Sequence, residues 1–437
     1  MKKGMLLLIL CLMPLIGCAT YRNEWRSLTD EAMSLYQKGE YDRAEELAEK
    51  ALVIADTAVG PEHPDVAESL NTLGLIYHAQ GEYAKAEPLY KRALAMAEGA
   101  VGPDHPYVAS CLNNLAEVYR AQARYTEAEP LYERSLAIKE KTLGPKHPSV
   151  ATGLNNLATL YCDLAEYTQA ESLYERSLAI MVEAFGPDHP EIATCLSNIA
   201  LISESRGEYD RAEQLYKRSL MINEKNLGPE HPNVANSLNN LAELYREQGR
   251  YSEAEPLYER SLDIWEKAFG PVNPTIATGL HNLSRLYCDQ GKFAQAEPLS
   301  MRALEIVEAT LGPEHPNTAI VLCGLAEVYR NQDEYAAAEP LYERSLTITE
   351  QALGPDHPNV AHILHYFALL YYDQGQYTEA ERLFERSMTI VENTLGADHP
   401  KMAEYLDSMA DLYSTTGREK EAEVLEQRAE ATRTATR

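Results

Sequence analysis

Apolar residues recur at helical spacing through most of the chain, and the block from His105 to Gly144 represents the pattern. In its first half the apolar positions are three, one and three residues apart, as on one face of an amphipathic helix. Pro106 opens this stretch, where a missing N–H costs nothing, and the chain turns near Ala123. We predict two helices, with stripes formed by Leu112, Leu115, Ala116 and Tyr119 in the first and by Tyr125, Ala128, Leu131, Tyr132, Ser135 and Leu136 in the second.

The same block recurs at intervals of 42 residues, and a Gly-Pro-x-His-Pro connection separates most copies. A period between about 20 and 50 residues is typical of a solenoid, in which each repeat buries its apolar face against its neighbours only. Proteins of this kind usually present a long surface, which favours a binding role over a catalytic one. The repeats are marked by Gly60, Gly102, Gly144, Gly186, Gly228, Gly270, Gly312 and Gly354, with Gly396-Ala397 as the ninth copy.

Small and aromatic residues stand at fixed positions in each block, represented by Ala116, Tyr119, Ala128, Tyr132 and Ser135. This set resembles the tetratricopeptide repeat. The 42-residue length, the sequence Leu-Asn-Asn-Leu-Ala in the first helix and Tyr-x-x-Ala-Glu-Pro-Leu-Tyr in the second resemble the kinesin light chain type of this repeat. The resemblance implies an all-α fold, a right-handed superhelical solenoid of about ten tetratricopeptide helix pairs.

The two ends of the array depart from the pattern, as the ends of solenoids do. Residues 25–58 form a degenerate first repeat, and in the last repeat the aromatic position is occupied by Glu426. Because no further helix follows to cover it, we expect Glu426 to face solvent. We assign residues 25–432 to the tetratricopeptide solenoid and 433–437 to a C-terminal tail.

The N-terminus has a different pattern, with Lys2 and Lys3 before an almost wholly apolar run from Met5 to Ile16. Such a run is too short to cross a bilayer as a stable anchor and is typical of a signal peptide. The end of the run, Leu-Ile-Gly-Cys18, resembles the lipobox of bacterial lipoproteins, which implies cleavage before Cys18 and its acylation with chains such as palmitate. We assign residues 1–17 to a lipoprotein signal peptide and 18–24 to the lipidated N-terminus and a short linker.

Lipidation of Cys18 would determine where the protein resides. More than one acyl chain suffices for stable anchoring, because each buried methylene contributes about 0.8 kcal/mol. Ala19, and not aspartate, follows the cysteine, which by resemblance to Gram-negative sorting rules favours the outer membrane. We therefore expect a lipid-anchored protein of the bacterial cell envelope, at the outer membrane and facing the periplasm.

The net charge of the chain limits which kinds of partner we expect. The formal net charge is -28 at pH 7, and so acidic a chain repels nucleic acid and anionic lipid head groups. We expect protein or peptide partners, contact with the membrane through Cys18, and neither nucleic acid, nor a small-molecule substrate, nor a cofactor. The remaining cysteines have no spacing that suggests zinc or a disulfide, and we interpret them as small, mostly buried apolar residues: Cys111, Cys162, Cys195, Cys288 and Cys323.

Pairs of polar side chains, mostly asparagines, follow the first leucine of the stripe in successive first helices. In the tetratricopeptide fold these positions face or flank the concave groove, and the resemblance to kinesin light chains implies contact with the main chain of a bound peptide. An amide both donates and accepts hydrogen bonds, so such a ladder can hold an extended peptide. The alternative is that one asparagine of each pair bonds a neighbouring repeat. The predicted groove residues are Asn113, Asn114, Asn155, Asn156, Asn198, Asn239, Asn240 and Asn282, and the ladder stops at Cys323-Gly324 and His365-Tyr366.

One turn further along, arginines share a position in three first helices. Arg120, Arg246 and Arg330 each follow a glutamate by three residues. This spacing predicts ion pairs within the helix, worth a few tenths of a kcal/mol. A second interpretation is an arginine row that receives the carboxylates of a ligand.

Histidines stand mostly in the repeat connections. One lies in each of eight loops, too far from the next to share a metal, and we interpret these eight as loop caps. His362 and His365 are three residues apart on one helix and could form half of a metal site, but no third ligand is evident. The capping histidines are His63, His105, His147, His189, His231, His315, His357 and His399.

Motifs of catalysis are missing from the sequence. It contains no Gly-x-x-x-x-Gly-Lys phosphate loop, no His-Glu-x-x-His and no Gly-x-Ser-x-Gly elbow. We therefore expect no enzyme but a membrane-anchored interaction scaffold that binds peptides or proteins in its groove. One alternative is a structural subunit of an envelope secretion or polymer-export complex. Another is a periplasmic ligand-binding accessory to an enzyme.

Overall fold

The computed structural model describes residues 21–435, apart from the side chain of residue 435. Cys18 and the predicted signal peptide lie outside the described residues. Within the described range the chain forms helices and no strand, and residues 21–24, which we assigned to the linker, already belong to the first helix. The helices are α1 (21–37), α2 (Tyr41–Val59), α3 (Pro64–Ala79), α4 (Tyr83–Val101), α5 (Pro106–Ala121), α6 (Tyr125–Leu143), α7 (Pro148–Asp163), α8 (Tyr167–Phe185), α9 (Pro190–Ser205), α10 (Tyr209–Leu227), α11 (Pro232–Glu247), α12 (Tyr251–Phe269), α13 (Pro274–Asp289), α14 (Phe293–Thr310), α15 (Pro316–Asn331), α16 (Tyr335–Leu353), α17 (Pro358–Asp373), α18 (Tyr377–Thr394), α19 (Lys401–Thr415) and α20 (Glu419–Ala435).

The loop histidines start the odd-numbered helices. Nδ1 of His231 accepts a hydrogen bond from the backbone N–H of Asn233 at 3.1 Å, and the other seven loop histidines make the same bond. The bond satisfies one of the N–H groups that a helix leaves open at its N-terminus. In the one connection without histidine, Oδ1 of Asn273 accepts from Thr275 at 2.9 Å. The interpretation of these histidines as caps is confirmed.

Backbones with positive φ end the helices. Gly228 after α10 has a φ of 88°, and Gly249 between α11 and α12 has a φ of 70°. The left-handed conformation is cheap only for glycine. At the position of Gly249, three other repeats carry Ala123, Ala165 and Asp333 at φ 55°, 57° and 61°, so these turns are formed against the preference of the residue.

Each even-numbered helix packs on the odd-numbered helix before it, along a seam of small residues. Ala242 on α11 and Ala254 on α12 are buried there, and so is the ring of Tyr258. A buried serine adds a polar tie inside a repeat: Oγ of Ser345 donates to the carbonyl of Ala319 at 2.7 Å, and Oγ of Ser177 donates to that of Ala151 at 3.1 Å. These pairs are the predicted tetratricopeptide-like units, and the all-α repeat fold is confirmed.

The helices form two compact units, Met1–Thr142 and Leu143–Arg437. In the second unit each helix contacts mainly the helices before and after it in the sequence. Glu426 on its last helix is exposed, as predicted. Among residues 21–435, no helix has both the length and the apolar character needed to cross a bilayer. The five cysteines of this range are unpaired; Cys111, Cys195 and Cys323 are buried, and Cys162 and Cys288 are partly buried.

Candidate functional site: the face of the odd-numbered helices

In two repeats of the second unit, the first asparagine of the pair bonds a residue of the next repeat. Oδ1 of Asn239 accepts a hydrogen bond from Nδ2 of Asn282 at 3.0 Å, across adjacent repeats. Asn155 bonds the thiol of Cys195 in the following repeat. Asn113, and Asn156 at the second position of its pair, also interact with other residues. These contacts are the kind that the alternative interpretation of the ladder expects.

The second asparagine is more open in three repeats. Asn114, Asn198 and Asn240 are half-buried and make no hydrogen bond with any residue of the described part of the chain. Half-buried amides without a protein partner are available to the main chain of a peptide. The role of the ladder in peptide binding stays a prediction, and these three residues are its best candidates.

The arginine row joins neighbouring repeats. In the second unit, Nη2 of Arg246 lies 2.6 Å from Oε1 of Glu243, and its Nη1 lies 2.6 Å from Oδ2 of Asp289 in the next repeat. Nη1 of Arg330 makes the equivalent bond to Oδ2 of Asp373, also at 2.6 Å. The arginine side chains are 11% and 15% exposed. The guanidinium groups are therefore largely shielded from solvent, the aspartates are partly exposed, and the pairs link adjacent odd-numbered helices.

In the first unit, Nη2 of Arg120 lies 3.2 Å from Oε2 of Glu117, the predicted pair within one helix. Arg246 makes that pair as well. The partners in the next repeat were not apparent from the sequence, although an aspartate recurs 43 residues after Arg246 and after Arg330. Reception of ligand carboxylates by this row stays a prediction.

Glu204 interrupts the row in the second unit. In its own repeat Glu204 occupies the position that Arg246 has in the next one. Glu247 stands opposite it, at the position that corresponds to Asp289, the partner of Arg246. Glu204 is 8% exposed, and its Oε2 accepts a hydrogen bond from Oη of Tyr216 at 2.9 Å. Burial, together with the charge of Glu247, raises the pKa of Glu204 to about 8. The pair therefore holds a proton at neutral pH, on the buried Glu204.

A pocket opens in the second unit where the asparagine ladder stops. Its volume is about 300 Å³, and residues of α13, α15 and α17 form most of its lining. Gly324 is essential to its shape, because a Cβ there would lie 2.5 Å from the ring of His281. The lining comprises His281, Arg285, Ile320, Cys323, Gly324, Glu327, Thr349, Asn359, His362, Ile363, Tyr366 and Lys401.

The pocket is suited to binding more than to chemistry. Burial lowers the pKa of both His281 and His362 to about 4, so the two rings are uncharged at neutral pH. Burial raises the pKa of Cys323, which keeps its thiol protonated and unreactive. His365 stacks on Tyr405 with ring centroids 4.5 Å apart. In the described range, no three histidine, cysteine or acidic side chains are grouped so that they could hold a metal ion.

The tetratricopeptide repeat family matches the chain over residues 26–99, 80–141, 107–181, 149–225, 198–267, 275–351, 321–390 and 360–435. Among solved structures, a kinesin light chain-type protein of Podosopora anserina with nearly identical TPR-like repeats is 28% identical, and the match covers 47% of this chain and 97% of that one, with a TM-score of 0.41. BtubC (BKLC) from P. vanneervenii is 25% identical over 54% of this chain and 92% of its own, with a TM-score of 0.42. A Rap protein complexed with Competence and Sporulation Factor shares the fold at 14% identity, covering 95% and 99% of the two chains with a TM-score of 0.54. Among curated proteins, none matches the chain.

Proposed function

Because the chain belongs to the tetratricopeptide repeat family, we propose that it is a scaffold that binds an extended peptide segment of a partner protein along the odd-numbered helices. The family consists typically of non-catalytic scaffolds. The observation that carries the proposal is the row of half-buried amides without protein partners, represented in the second unit by Asn198 and Asn240. The Rap protein complexed with a factor shares this fold at low identity, so the proposal is argued from the residues of this chain.

The asparagines permit a test with a built-in control. Replacing both Asn198 and Asn240 by alanine should weaken peptide binding about 5-fold per residue, because each lost amide bond is worth about 1 kcal/mol. The melting temperature should stay near that of the wild type. Asn239→Ala is the matched control, since its amide already bonds Asn282. The dissociation constant of a peptide selected from a display library is measured by fluorescence anisotropy.

Two results would contradict this assignment. The first is a selected peptide that binds equally well to the double variant and to the wild type. The second is a large fall in melting temperature with unchanged affinity per folded molecule, which would mean that Asn198 and Asn240 hold the repeats together.

We further propose that the scaffold is anchored to a bacterial membrane, in the outer membrane facing the periplasm, through acylated Cys18. The support is the sequence alone: Lys2 and Lys3, the apolar run, and the Leu-Ile-Gly-Cys ending. The Cys18→Ser variant should leave the membrane fraction and appear soluble or unprocessed. Mass spectrometry of the mature protein from its native host gives the check, and an unmodified N-terminus at another residue would refute the anchor.

A further inference from the structure

Glu327 on α15 lines the pocket, and its carboxylate makes neither a hydrogen bond nor an ion pair with any residue of the described range. Glu243, at the equivalent position two repeats earlier, is held by three donors. Its carboxylate lies 2.5 Å from Oη of Tyr258, 2.6 Å from Nη2 of Arg246 and 3.3 Å from Nη1 of Arg285. The same residue type at the same repeat position is therefore satisfied in one repeat and unsatisfied in the other.

The groups that hold Glu243 have counterparts around Glu327, and these also lack their bonds. Oη of Tyr342, the counterpart of Tyr258, is buried and has no partner. Nε of Arg330 is buried and has no partner either, although Nη1 of this residue bonds Asp373. Glu327 is half-buried, and a carboxylate that loses water without gaining a donor is costly; burial accordingly raises the pKa of Glu327. A bound cation would remove this cost.

The other groups of the pocket would complement a cation with an apolar stem. Nδ1 of His281 is buried without a partner and can accept a hydrogen bond when the proton is on Nε2. Ile320 and Ile363 give the pocket an apolar wall, and the side chain of Ile320 is 45% exposed and so accessible to a ligand. The volume of about 300 Å³ is at the lower end of ligand pockets and suits one side chain.

We propose that this pocket receives one basic side chain, lysine or arginine, of a peptide that lies along the odd-numbered helices. The cationic head pairs with Glu327, and the apolar stem lies against Ile320 and Ile363, as the stems of these residues do on protein surfaces. The net charge of -28 favours the approach of a basic segment. The inference rests on the proposed function and adds the chemistry of the partner.

Two cationic side chains, Arg285 and Lys401, also line the pocket, and Lys401 distinguishes a cationic from an anionic ligand. Arg285 is held by Glu243, so its charge is already paired. Lys401 is exposed and lies close enough to Glu404 to lower the pKa of that carboxyl, against the larger raising effect of burial. If the ligand group is a cation, the charge of Lys401 opposes binding; if it is an anion, Lys401 supports it.

A peptide array tests the proposal on the full chain. The peptides carry a fixed central lysine, arginine, leucine, glutamine or glutamate between randomised flanks. We expect lysine and arginine to be enriched. For the best lysine peptide, Glu327→Gln should weaken binding 10-fold or more, Glu327→Asp should retain part of it, and Lys401→Gln should strengthen it. Glu343→Gln, the same change at an exposed site on α16, should have no effect, and circular dichroism of each variant checks the fold.

The outcomes distinguish the inference from the function on which it rests. If the wild-type chain binds no peptide of the array, both are wrong. The inference alone is overturned if peptides bind without preference for lysine or arginine, or if Glu327→Gln binds the lysine peptide as tightly as the wild type. It is also overturned if glutamate-centred peptides bind best and Lys401→Gln abolishes their binding.

Discussion

The Tyr258→Ala variant is expected to lose about 3–5 kcal/mol of unfolding free energy in the second unit, as in other replacements of large buried aromatic residues. The ring is 0% exposed and fills the space between α11 and α12. The change also removes the hydroxyl that donates to Glu243, leaving that partly buried carboxylate with one donor fewer. Chemical denaturation followed by circular dichroism measures the loss.

Hydrogen exchange should show how far the damage extends. Helices of the second unit contact mainly their neighbours in sequence, so amides of α11–α14 should exchange faster while those of α18–α20 keep their rates. Tyr258→Phe is the control, because it retains the ring and should lose less, about 1–3 kcal/mol for the bond to the charged carboxylate. A uniform acceleration across the unit would show that it unfolds as one cooperative body.

Alkaline pH is expected to destabilise the second unit through Glu204. The folded-state pKa of this carboxyl, about 8, lies above the value of an ordinary glutamate. Its contribution to stability is therefore complete below about pH 4, the unfolded-state pKa, and is lost as pH rises through 8. Between pH 5 and pH 9 the titration of Glu204 should lower the free energy of unfolding by about 2–4 kcal/mol.

The groups around Glu204 support its assignment as the titrating residue. Oη of Tyr216 on α10 bonds it, and Glu243 and Glu247 on α11 add negative charge. Glu243 itself stays ionised: burial alone would raise its pKa, but the hydrogen bonds from Arg246 and Tyr258 and the charges of Arg285 and Arg246 together outweigh burial and lower that pKa to about 2. Deprotonation of Glu204 would thus place a third negative charge in one small volume.

Comparing the unfolding free energies of the wild type and Glu204→Gln at each pH separates the effect of Glu204 from that of all other titrating groups. Glu204→Gln should be more stable than the wild type at pH 9, and the gap should shrink or reverse towards pH 5. Glu259→Gln, at an exposed site on α12, should follow the wild-type pH profile. If the difference in unfolding free energy between wild type and Glu204→Gln is the same at every pH, Glu204 does not hold the proton.

Local and periodic features of the fold could be predicted from the sequence. The histidine caps depend on residues two apart, and the buried stripes of each helix follow from spacing within one turn. The exposure of Glu426 follows from its place in the last repeat. The caps and the stripes are determined within a single repeat, so 42-residue periodicity was sufficient to find them.

Features that join repeats could not be assigned in the same way. Glu243 and Glu327 have the same neighbours in sequence, Glu-x-x-Arg, yet only the first is bonded to its arginine. The distinction depends on Arg285, which approaches Glu243 from α13, the next odd-numbered helix, and on the direction in which the Arg330 side chain points.

The buried serine ties have a consequence for how such chains change in length. Because Ser177 and Ser345 satisfy their hydroxyls on carbonyls of their own repeats, recombination that inserts or deletes one whole repeat leaves no hydroxyl orphaned. The bonds of Arg246 to Asp289 and of Arg330 to Asp373 are different, since each needs a particular successor. Deletion of a repeat that separates these partners would leave a largely shielded arginine without its aspartate, so the pairs favour the order of repeats in which they stand.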